Sequence, residues 1–427
     1  MHLERKMMIG HDNVLIYDRG LYSYRAEEFA KVAKSVRYFM PDAAAYPEST
    51  RDCIATDLDG VERVYDFEEA LKTADWIYFP DCYDGPKQAA LREQGHAVFG
   101  EGLAGKLEMD KEFFYSHLEE IGMEVPFTYI AENFEEAVEY LKGKKNKWLK
   151  PADSYSRGDF ETKHWVNERQ GRRWVNSIRH RLGIRCDDLR LLIQDGIKDC
   201  VCEPGWDGLN LLGQCTADGM VGYEDKDKLL IGRVMPEPPK IIKEVNDKLA
   251  PILKELGCQG HWSTEIKITK KGTFYFLDPT LRVPSPPGES FDLVYSNYCE
   301  ACGEIARGRL PKMKWAKRYM AELMLYSSVY EDGQICVEFP KELKDNIKLK
   351  NHTKSKDKHG EYYTCIPNDN GGFFGGVVST GDSVKECKEK ILDIVCQIEA
   401  EGLEFDGSAF DRCECSIEKG RAHGINF

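Results

Sequence analysis

The chain has 427 residues, of which 42% are hydrophobic and 31% charged, and its formal net charge is −14. Chains longer than about 250–300 residues usually split, so we expect two to four soluble globular domains. No apolar run approaches the roughly 18 residues of a membrane span, and the acidic balance argues against a broad nucleic-acid-binding surface.

The first hundred residues alternate short apolar runs with helical patterns. Strands are predicted at 14–17, 36–40, 76–80 and 97–100, and helices at 25–36, 67–73 and 87–94. This alternation predicts an open, mostly parallel α/β sheet. No GxGxxG pattern follows the first strand, so a Rossmann dinucleotide site is not predicted there.

The middle of the chain mixes helices with further strands. A helix begins after the cap residue Asp110 and ends at Gly122, and others cover 134–141 and 241–256. Strands are predicted at 125–130, 147–150, 191–194, 200–203 and 211–216. Two more, 263–268 and 273–277, are joined by the turn 269–272 and form a predicted hairpin.

Beyond about residue 330 the pattern changes to that of a small α+β domain. The stretch 371–376 is glycine-rich, 384–401 is predicted to be one long amphipathic helix, and 351–360 is a charged loop or hairpin tip.

The 15 cysteines are scattered along the chain, and the N-terminus lacks the apolar core of a secretory signal. We therefore interpret them as reduced thiols of a cytoplasmic protein. Zinc sites usually combine two cysteine pairs or add histidines, so the three close pairs are better explained as small apolar side chains. These pairs are Cys200/Cys202, Cys299/Cys302 and Cys413/Cys415.

The predicted hairpin carries the strongest chemical signal. Glu265 lies on its first strand, and Asp278 ends its second strand, followed by Thr280 and Arg282. In a tight antiparallel hairpin, Glu265 and Asp278 can project from the same face. Two hard oxygen ligands beside a guanidinium suit Mg²⁺ (or Mn²⁺) that bridges the phosphates of ATP. An exposed acidic hairpin is the alternative interpretation.

A lysine at a strand end gives the second signal. Lys150 closes the strand 147–150 and precedes a polar loop, while Lys111 follows the cap Asp110. Backbone N–H groups and a guanidinium in such a loop can hold the β- and γ-phosphates. Taken alone, each feature could be an ordinary solvated surface. The loop residues concerned are Ser154, Ser156, Arg157 and Gly158.

The order of these features resembles that of the ATP-grasp superfamily, in which two lysines, a phosphate loop, a hinge strand and a metal-binding hairpin follow one another. The resemblance implies an ATP-grasp fold of mixed α/β and α+β class, with ATP and Mg²⁺ or Mn²⁺ as cofactors. It also implies three domains. These are an N-terminal pre-ATP-grasp α/β domain (1–106), an ATP-grasp domain (107–330, with a subdomain at about 125–215) and a C-terminal α+β domain (331–427).

The resemblance further implies roles for single residues. Arg282, Lys150 and Arg157 would act in catalysis, and the strand at 191–195 would bind adenine through its backbone. Asp199, or as second choice Glu203, would hold the ribose. The implied nucleotide-binding set is Lys111, Lys150, Ser154, Ser156, Gly158, Gln194, Asp195, Asp199 and Glu203. The implied metal ligands are Glu265, Asp278 and Thr280.

Within the superfamily, most of the chain resembles phosphoribosylamine–glycine ligase, notably at 95–111, 121–126 and 377–411. It departs from that family in three respects. Thr280 replaces the asparagine of the family's Glu-x-Asn metal strand. The run 282–290 lacks the family's acidic glycine-binding element. The basic loop for the ribose-phosphate amine is matched only by the acidic stretch 223–228 and by 232–239.

These features predict an ATP-dependent ligase that joins a small-molecule carboxylate to an amine through an acyl phosphate and releases ADP and phosphate. An amino acid is the expected substrate on one side. Phosphoribosylamine–glycine ligase itself and a catalytically degenerate ATP-binding module are the alternatives. We expect no membrane or nucleic-acid partner, and a homodimer is a candidate because ligases of this shape often pair.

Overall fold

A computed structural model of the chain describes residues 10–41, 46, 48–152, 162–330, 333–358, 360–367 and 372–427. The chain divides into two compact units. Unit 1 comprises Met1–Ala104, Pro204–Thr264 and Thr280–Phe427, and unit 2 comprises Gly105–Glu203 and Glu265–Pro279. The three-domain division stays a prediction, because one compact unit can contain more than one domain.

The strands in chain order are β1 (Asn13–Tyr17), β2 (Ser35–Phe39), β3 (Val61–Val64), β4 (Trp76–Tyr78), β5 (Val98–Phe99), β6 (Thr128–Ala131), β7 (Lys147–Pro151), β8 (Lys163–Trp165), β9 (Leu191–Asp195), β10 (Cys200–Cys202), β11 (Pro204–Leu211), β12 (Gln214–Cys215), β13 (Gly219–Asp225), β14 (Leu229–Met235), β15 (Gln259–Thr269), β16 (Phe274–Thr280), β17 (Tyr319–Ser327), β18 (Ile335–Glu338), β19 (Ile347–Leu349), β20 (His352–Lys356), β21 (Glu361–Cys365), β22 (Phe373–Gly381), β23 (Glu399–Ala400) and β24 (Leu403–Glu404).

The helices in chain order are α1 (Ser23–Ala30), α2 (Glu48–Arg51), α3 (Phe67–Leu71), α4 (Gly85–Glu93), α5 (Lys106–Met109), α6 (Lys111–Glu120), α7 (Phe134–Leu141), α8 (Glu168–Leu182), α9 (Lys240–Glu255), α10 (Phe291–Val294), α11 (Tyr298–Ala306), α12 (Val384–Val395) and α13 (Ala409–Arg421). No helix within the described ranges is long and apolar enough to cross a membrane.

The N-terminal part of unit 1 contains the predicted parallel sheet. Its strand order is β3-β2-β1-β4-β5, and every neighbouring pair runs parallel. The central strand β1 is apolar from Val14 to Ile16 and buried from Val14 to Tyr17, because both of its faces are covered. Val14 and Ile16 enter one hydrophobic core, while Leu15 and Tyr17 enter another. The open parallel sheet expected from the alternating pattern is therefore confirmed.

Three predicted elements depart most from their expected bounds in the structure. Helix α1 ends at Ala30 rather than at 36, because the Lys34 N–H donates to the Asp12 carbonyl and the chain then enters β2. The predicted strand 211–216 is split by Leu212 and Gly213, whose positive φ angles turn the chain so that β12 folds back onto β11. Helix α12 ends at Val395, and β23 follows within the predicted helix 384–401.

The rest of unit 1 contains a larger antiparallel sheet, ordered β15-β11-β13-β14-β17-β22-β19. Strands β13 and β14 form a regular hairpin from Gly219↔Met235 to Asp225↔Leu229. The stretches 223–228 and 232–239, which the sequence suggested as loops, therefore lie largely within this hairpin. A smaller sheet, β20-β21-β18-β23, includes the predicted charged hairpin tip at 351–360.

Unit 2 is built on a four-stranded antiparallel sheet, ordered β6-β9-β7-β8, and on the paired strands β10, β15 and β16. Helix α8 was not predicted, because its five arginines obscure its short apolar stripe. Its buried residues recur at helical spacing and pack into the core of the unit. They are Gly171, Val175, Ile178 and Leu182.

Helix α13 packs closely against the β13–β14 hairpin at Gly420. A Cβ atom at Gly420 would lie 1.7 Å from the hydroxyl oxygen of Tyr223, a fully buried side chain. Alanine is favoured over glycine in a helix by about 1 kcal/mol, but overpacking a core costs about 1–3 kcal/mol. The steric clash with Tyr223 therefore outweighs the gain in helix propensity, and alanine at position 420 is expected to destabilise the protein.

We expect Gly420→Ala to lower the free energy of unfolding by about 1–2 kcal/mol in a urea titration, because Tyr223 must shift. Gly333→Ala is the control, since, its sequence neighbours aside, no atom of the described residues lies within 4 Å of a Cβ built there. It should change stability by less than about 0.5 kcal/mol. Equal stability of both variants and wild type would show that α13 accommodates the methyl group.

Candidate functional site

Three of the sequence-predicted site residues meet in unit 2. The Lys111 ammonium contacts Oδ1 of Asp278, and the Lys150 Nζ lies 3.2 Å from Oδ2 of the same carboxylate. Both lysines are buried, with 8% and 6% of their surfaces exposed, whereas about a third of the Asp278 side chain (34%) is accessible. We call these three residues the lysine–aspartate cluster.

Local structure places each member of the cluster. Lys111 is the first residue of α6, where the Asp110 side chain caps the helix by accepting from the Phe113 N–H at 2.9 Å. The Lys111 N–H also donates to the Ala152 carbonyl at 2.9 Å. Lys150 lies on β7, which pairs with β9 on one side and β8 on the other. Asp278 lies on β16.

The electrostatics of the cluster follow from its burial. Burial acts to raise the pKa of Asp278, but the Lys111 and Lys150 ammonium groups outweigh it and hold that pKa well below its usual range. Burial likewise acts to lower the pKa of Lys150, yet Asp278 and the Tyr115 hydroxyl raise it above its ordinary value. Asp278 and Lys150 are therefore both charged at neutral pH and form an ion pair.

Sequence reasoning missed Tyr115, which also belongs to this site. Its hydroxyl accepts a hydrogen bond from Lys150 Nζ at 2.8 Å and donates one to the Leu277 carbonyl at 2.9 Å. The signal was present in the sequence, since Tyr115 follows Lys111 by four residues and so shares its face of α6.

Glu265 lies on β15, the strand that pairs with β16. It projects from the same side of β15 as Lys267, whose ammonium lies 5.7 Å from the centre of the Trp148 ring. Trp148 and Lys150 share one side of β7, so Glu265 is on the side of the hairpin that faces β7.

The donor set suits a metal ion that shares its ligands with a phosphate. Among the described residues, no group of three or more His, Cys, Asp or Glu side chains could hold a metal ion by itself. Mg²⁺ commonly takes one or two carboxylates and completes its shell with substrate phosphates and water. The accessible Asp278 carboxylate and the half-buried Glu265 offer hard oxygen ligands of that kind.

The predicted adenine hinge is only partly available. Strand β9 pairs with β6 and β7 along its whole length, so the backbone groups of 191–195 are already used within the sheet. The Asp195 and Gly196 N–H groups donate to the Phe127 and Asn146 carbonyls. A backbone contact to adenine is therefore expected from the segment beyond Gly196, while the part of Gln194 in nucleotide binding stays a prediction.

The other predicted nucleotide ligands in unit 2 have local partners. The buried Gln194 donates from Nε2 to Thr128 at 3.1 Å, and Asp195 pairs with Lys147. Asp199 is exposed at a positive φ of 56°, and Glu203 lies 3.2 Å from the Lys267 ammonium. The predicted loop residues fall outside the described part of the chain: Ser154, Ser156, Arg157 and Gly158.

Thr280 and Arg282 belong to unit 1, in which Arg282 donates to the Tyr22 hydroxyl at 3.5 Å and to the Val283 carbonyl at 3.4 Å. The run that follows contains a buried polar group that the sequence did not reveal. The Lys350 ammonium lies 3.2 Å from Glu289, which also accepts from Ser285 at 2.6 Å. Burial and the nearby Glu289 carboxylate raise the pKa of the buried Glu322.

No protein-family model matches the chain, and no curated protein sequence matches it significantly. Solved structures do match nearly its whole length, and they show that the chain has the ATP-grasp fold.

Among these structures is phosphoribosylamine–glycine ligase from Thermotoga maritima, with a TM-score of 0.66 and 19% identity over 92% of this chain and 98% of that chain. Another is the biotin carboxylase domain of 2-oxoglutarate carboxylase from Hydrogenobacter thermophilus, in complex with MgADP, ADP and bicarbonate. Its TM-score is 0.64 and its identity 13%, over 95% of this chain and 98% of that chain. L-amino acid ligase from Bacillus licheniformis has a TM-score of 0.58 and 14% identity, over 93% of this chain and 99% of that chain. At these identities the likeness establishes the fold.

The lysine–aspartate cluster generates a prediction for stability. Asp278→Asn removes the carboxylate charge that two buried ammonium groups share, so it should lower the free energy of unfolding at neutral pH. Because about a third of the Asp278 side chain is exposed, we expect a loss of only about 1–2 kcal/mol. Urea titrations of wild type and variant measure it.

The stability lost in Asp278→Asn is expected to decrease as the pH falls. The folded-state pKa of Asp278 lies below its ordinary value of 3.8, so its stabilising contribution is present above that pH and is lost as acid protonates the group. The difference between wild type and variant should therefore shrink below about pH 3.8. Asp195→Asn, which removes a half-exposed surface pair in the same unit, should cost less than about 1 kcal/mol. An equal loss in both variants would contradict the larger contribution assigned to Asp278.

Proposed function

We propose that this protein is an ATP-dependent carboxylate–amine ligase. It would transfer the γ-phosphoryl group of ATP to a substrate carboxylate, and an amine would then displace phosphate from the acyl phosphate to give an amide, ADP and phosphate. The observation that carries this proposal is the convergence of Lys111 and Lys150 on the partly accessible Asp278. The ATP-grasp fold is the second support.

The charge of the cluster favours a phosphate ligand. Two ammonium groups (+2) share one carboxylate (−1), so the cluster carries a net charge of +1 in unit 2. Because both lysines are buried, the effective dielectric constant around them is low, and their attraction for an incoming anion is stronger than it would be in water. Polyphosphate oxygens would compete with Asp278 for Lys111 and Lys150, and the released carboxylate would be free to serve as a ligand of Mg²⁺ or Mn²⁺.

The roles of the chain's own groups follow from this exchange of partners. Lys111 and Lys150 would bind oxygens of the α- and β-phosphates and keep ATP in position. Asp278 and Glu265 would hold the divalent cation. The bound metal supplies charge neutralisation at the phosphates. Arg282 would stabilise the negative charge of the transferring phosphoryl group or of the acyl phosphate.

We propose an amino acid as one substrate, acting with a small-molecule carboxylate or amine. The structure of the β13–β14 hairpin supports this choice over phosphoribosylamine. The short hairpin turn at 225–229 alternates Asp225 and Asp227 with Lys226 and Lys228, so it has no excess of positive charge that would favour a ribose-phosphate. Phosphoribosylamine–glycine ligase activity remains the second candidate, because that enzyme has the same fold.

The role of Lys150 can be tested by Lys150→Ala. We expect the apparent KM for ATP to rise more than about tenfold, because a charge-assisted contact to phosphate is worth roughly 1.5–3 kcal/mol. Lys142→Ala is the control, since Lys142 forms an exposed pair with Glu139 in the same unit. Steady-state ADP release at varied ATP concentrations gives both values. An unchanged KM for ATP in the Lys150 variant would show that Lys150 does not bind ATP and has only a structural role in its strand.

The substrate class can be tested by ADP release across a panel of amino acids and carboxylates, with and without phosphoribosylamine. We expect turnover to depend on an amino acid, with no dependence on phosphoribosylamine, and Glu265→Gln to abolish it by removing a metal ligand. Glu304→Gln, which alters an exposed carboxylate paired with Arg309, is the control. Dependence on phosphoribosylamine with glycine would favour the second candidate. ATP binding by calorimetry without turnover for any substrate would indicate a degenerate module.

A further inference from the structure

We propose that Tyr115 is the positioning residue for Lys150, holding its ammonium group in place for the nucleotide phosphates. The inference rests on the proposed function, because it assumes that Lys150 binds the nucleotide phosphates. Tyr115 is not among the residues to which the ATP-grasp resemblance assigns a role. It concerns contacts that lie wholly within unit 2.

The hydroxyl of Tyr115 is bound on both sides. It accepts from Lys150 Nζ at 2.8 Å and donates to the Leu277 carbonyl at 2.9 Å. Only 4% of the Tyr115 side chain is exposed, and the Lys150 Nζ lies 5.3 Å from the centre of its ring. The hydroxyl therefore connects the lysine of β7 to the backbone residue immediately before Asp278.

One helix delivers both Lys111 and Tyr115. The two residues are four apart on α6, so their side chains lie one above the other on the same helix face. The Asp110 cap and the bond from the Lys111 N–H to Ala152 fix the start of that helix. Because these bonds fix the first turn of α6, the backbone that carries Tyr115 is held in place, as the role of a positioning residue requires.

The need for such a residue follows from the exchange of partners at Asp278. Lys150 has two hydrogen-bond acceptors among the described residues, Asp278 and Tyr115. If Asp278 were to bind a metal ion instead of Lys150, the Tyr115 hydroxyl would keep its bond to the Leu277 carbonyl and would still accept from Lys150. A long lysine side chain without that contact would sample several rotamers, and the phosphate would have to order it on binding.

A purely structural role for Tyr115 makes a different prediction. If the ring only fills space against Phe114, then removing the hydroxyl would lower stability without changing nucleotide affinity. If the hydroxyl positions Lys150, affinity changes and the change depends on Lys150. The two cases are separated by measuring stability and binding on the same variants.

The first experiment compares Tyr115→Phe with Tyr129→Phe in the full chain. Tyr129 also lies in unit 2, and its hydroxyl bonds Glu136 rather than a member of the lysine–aspartate cluster. ADP is the probe, and its dissociation constant is measured by calorimetry with Mg²⁺ and again with EDTA. We expect about tenfold weaker binding for Tyr115→Phe under both conditions, because the lost bond involves a charged group. Tyr129→Phe should bind as the wild type does.

A double-mutant cycle shows whether Tyr115 acts through Lys150. The change Tyr115→Phe is made in wild type and in Lys150→Met, and weak ADP binding is followed by the ligand-induced shift of the melting temperature. We expect the effect of Tyr115→Phe on affinity to vanish in the Lys150→Met background. This readout stays valid if Tyr115→Phe lowers the melting temperature of the free protein, since each shift is referred to its own ligand-free value.

The outcomes distinguish this inference from the proposed function. Unchanged ADP affinity in Tyr115→Phe, or an equal loss in both Lys150 backgrounds, overturns the positioning role. Failure of the wild-type protein to bind ADP overturns the proposed function itself. Weaker binding that depends on Lys150, with Tyr129→Phe unaffected, supports both.

Discussion

A buried ammonium group has to keep a polar or anionic partner, and Lys150 imposes this constraint on unit 2. Only 6% of its surface is exposed, so an uncompensated charge there would be strongly destabilising. Its partners come from distant parts of the chain, Tyr115 on α6 and Asp278 on β16. The segment Glu265–Pro279 returns to unit 2 after sixty-one residues in unit 1, and it brings the carboxylate that makes the buried lysine tolerable.

Much of the fold was predictable because local pattern and tertiary burial agree. Strand β1 is apolar on both faces and lies in the middle of a covered parallel sheet, while Asp66, Asp110 and Ser383 cap helices through their side chains. The failures have physical causes. Helix α8 buries only a narrow stripe beneath its arginines, and the β13–β14 hairpin places acidic residues at its turn, where the composition is typical of a loop.

The candidate site was predictable only where its members have positions in an ordered pattern. Lys111, Lys150 and Asp278 were singled out because each lies at one end of a predicted element and the three occur in an order that resembles the ATP-grasp pattern. The buried trio of Glu289, Glu322 and Lys350 could not be found in that way. Glu322 is on β17, Lys350 directly follows β19, and Glu289 belongs to the run after Arg282. Their proximity depends on the pairing of β17 and β19 with β22.

The two-segment construction of unit 2 also affects the order in which the protein is made. The last residue of unit 2 is Pro279, whereas unit 1 needs β17, β22 and α13, which extend to Arg421. At a translation rate of about 5–20 residues per second, α13 follows Pro279 from the ribosome by roughly 7–28 s. During that interval Lys150 can already acquire Asp278, while the antiparallel sheet of unit 1 still has exposed edges at β14. Vectorial synthesis thus favours completion of the cationic cluster first and leaves the larger sheet dependent on the final third of the chain.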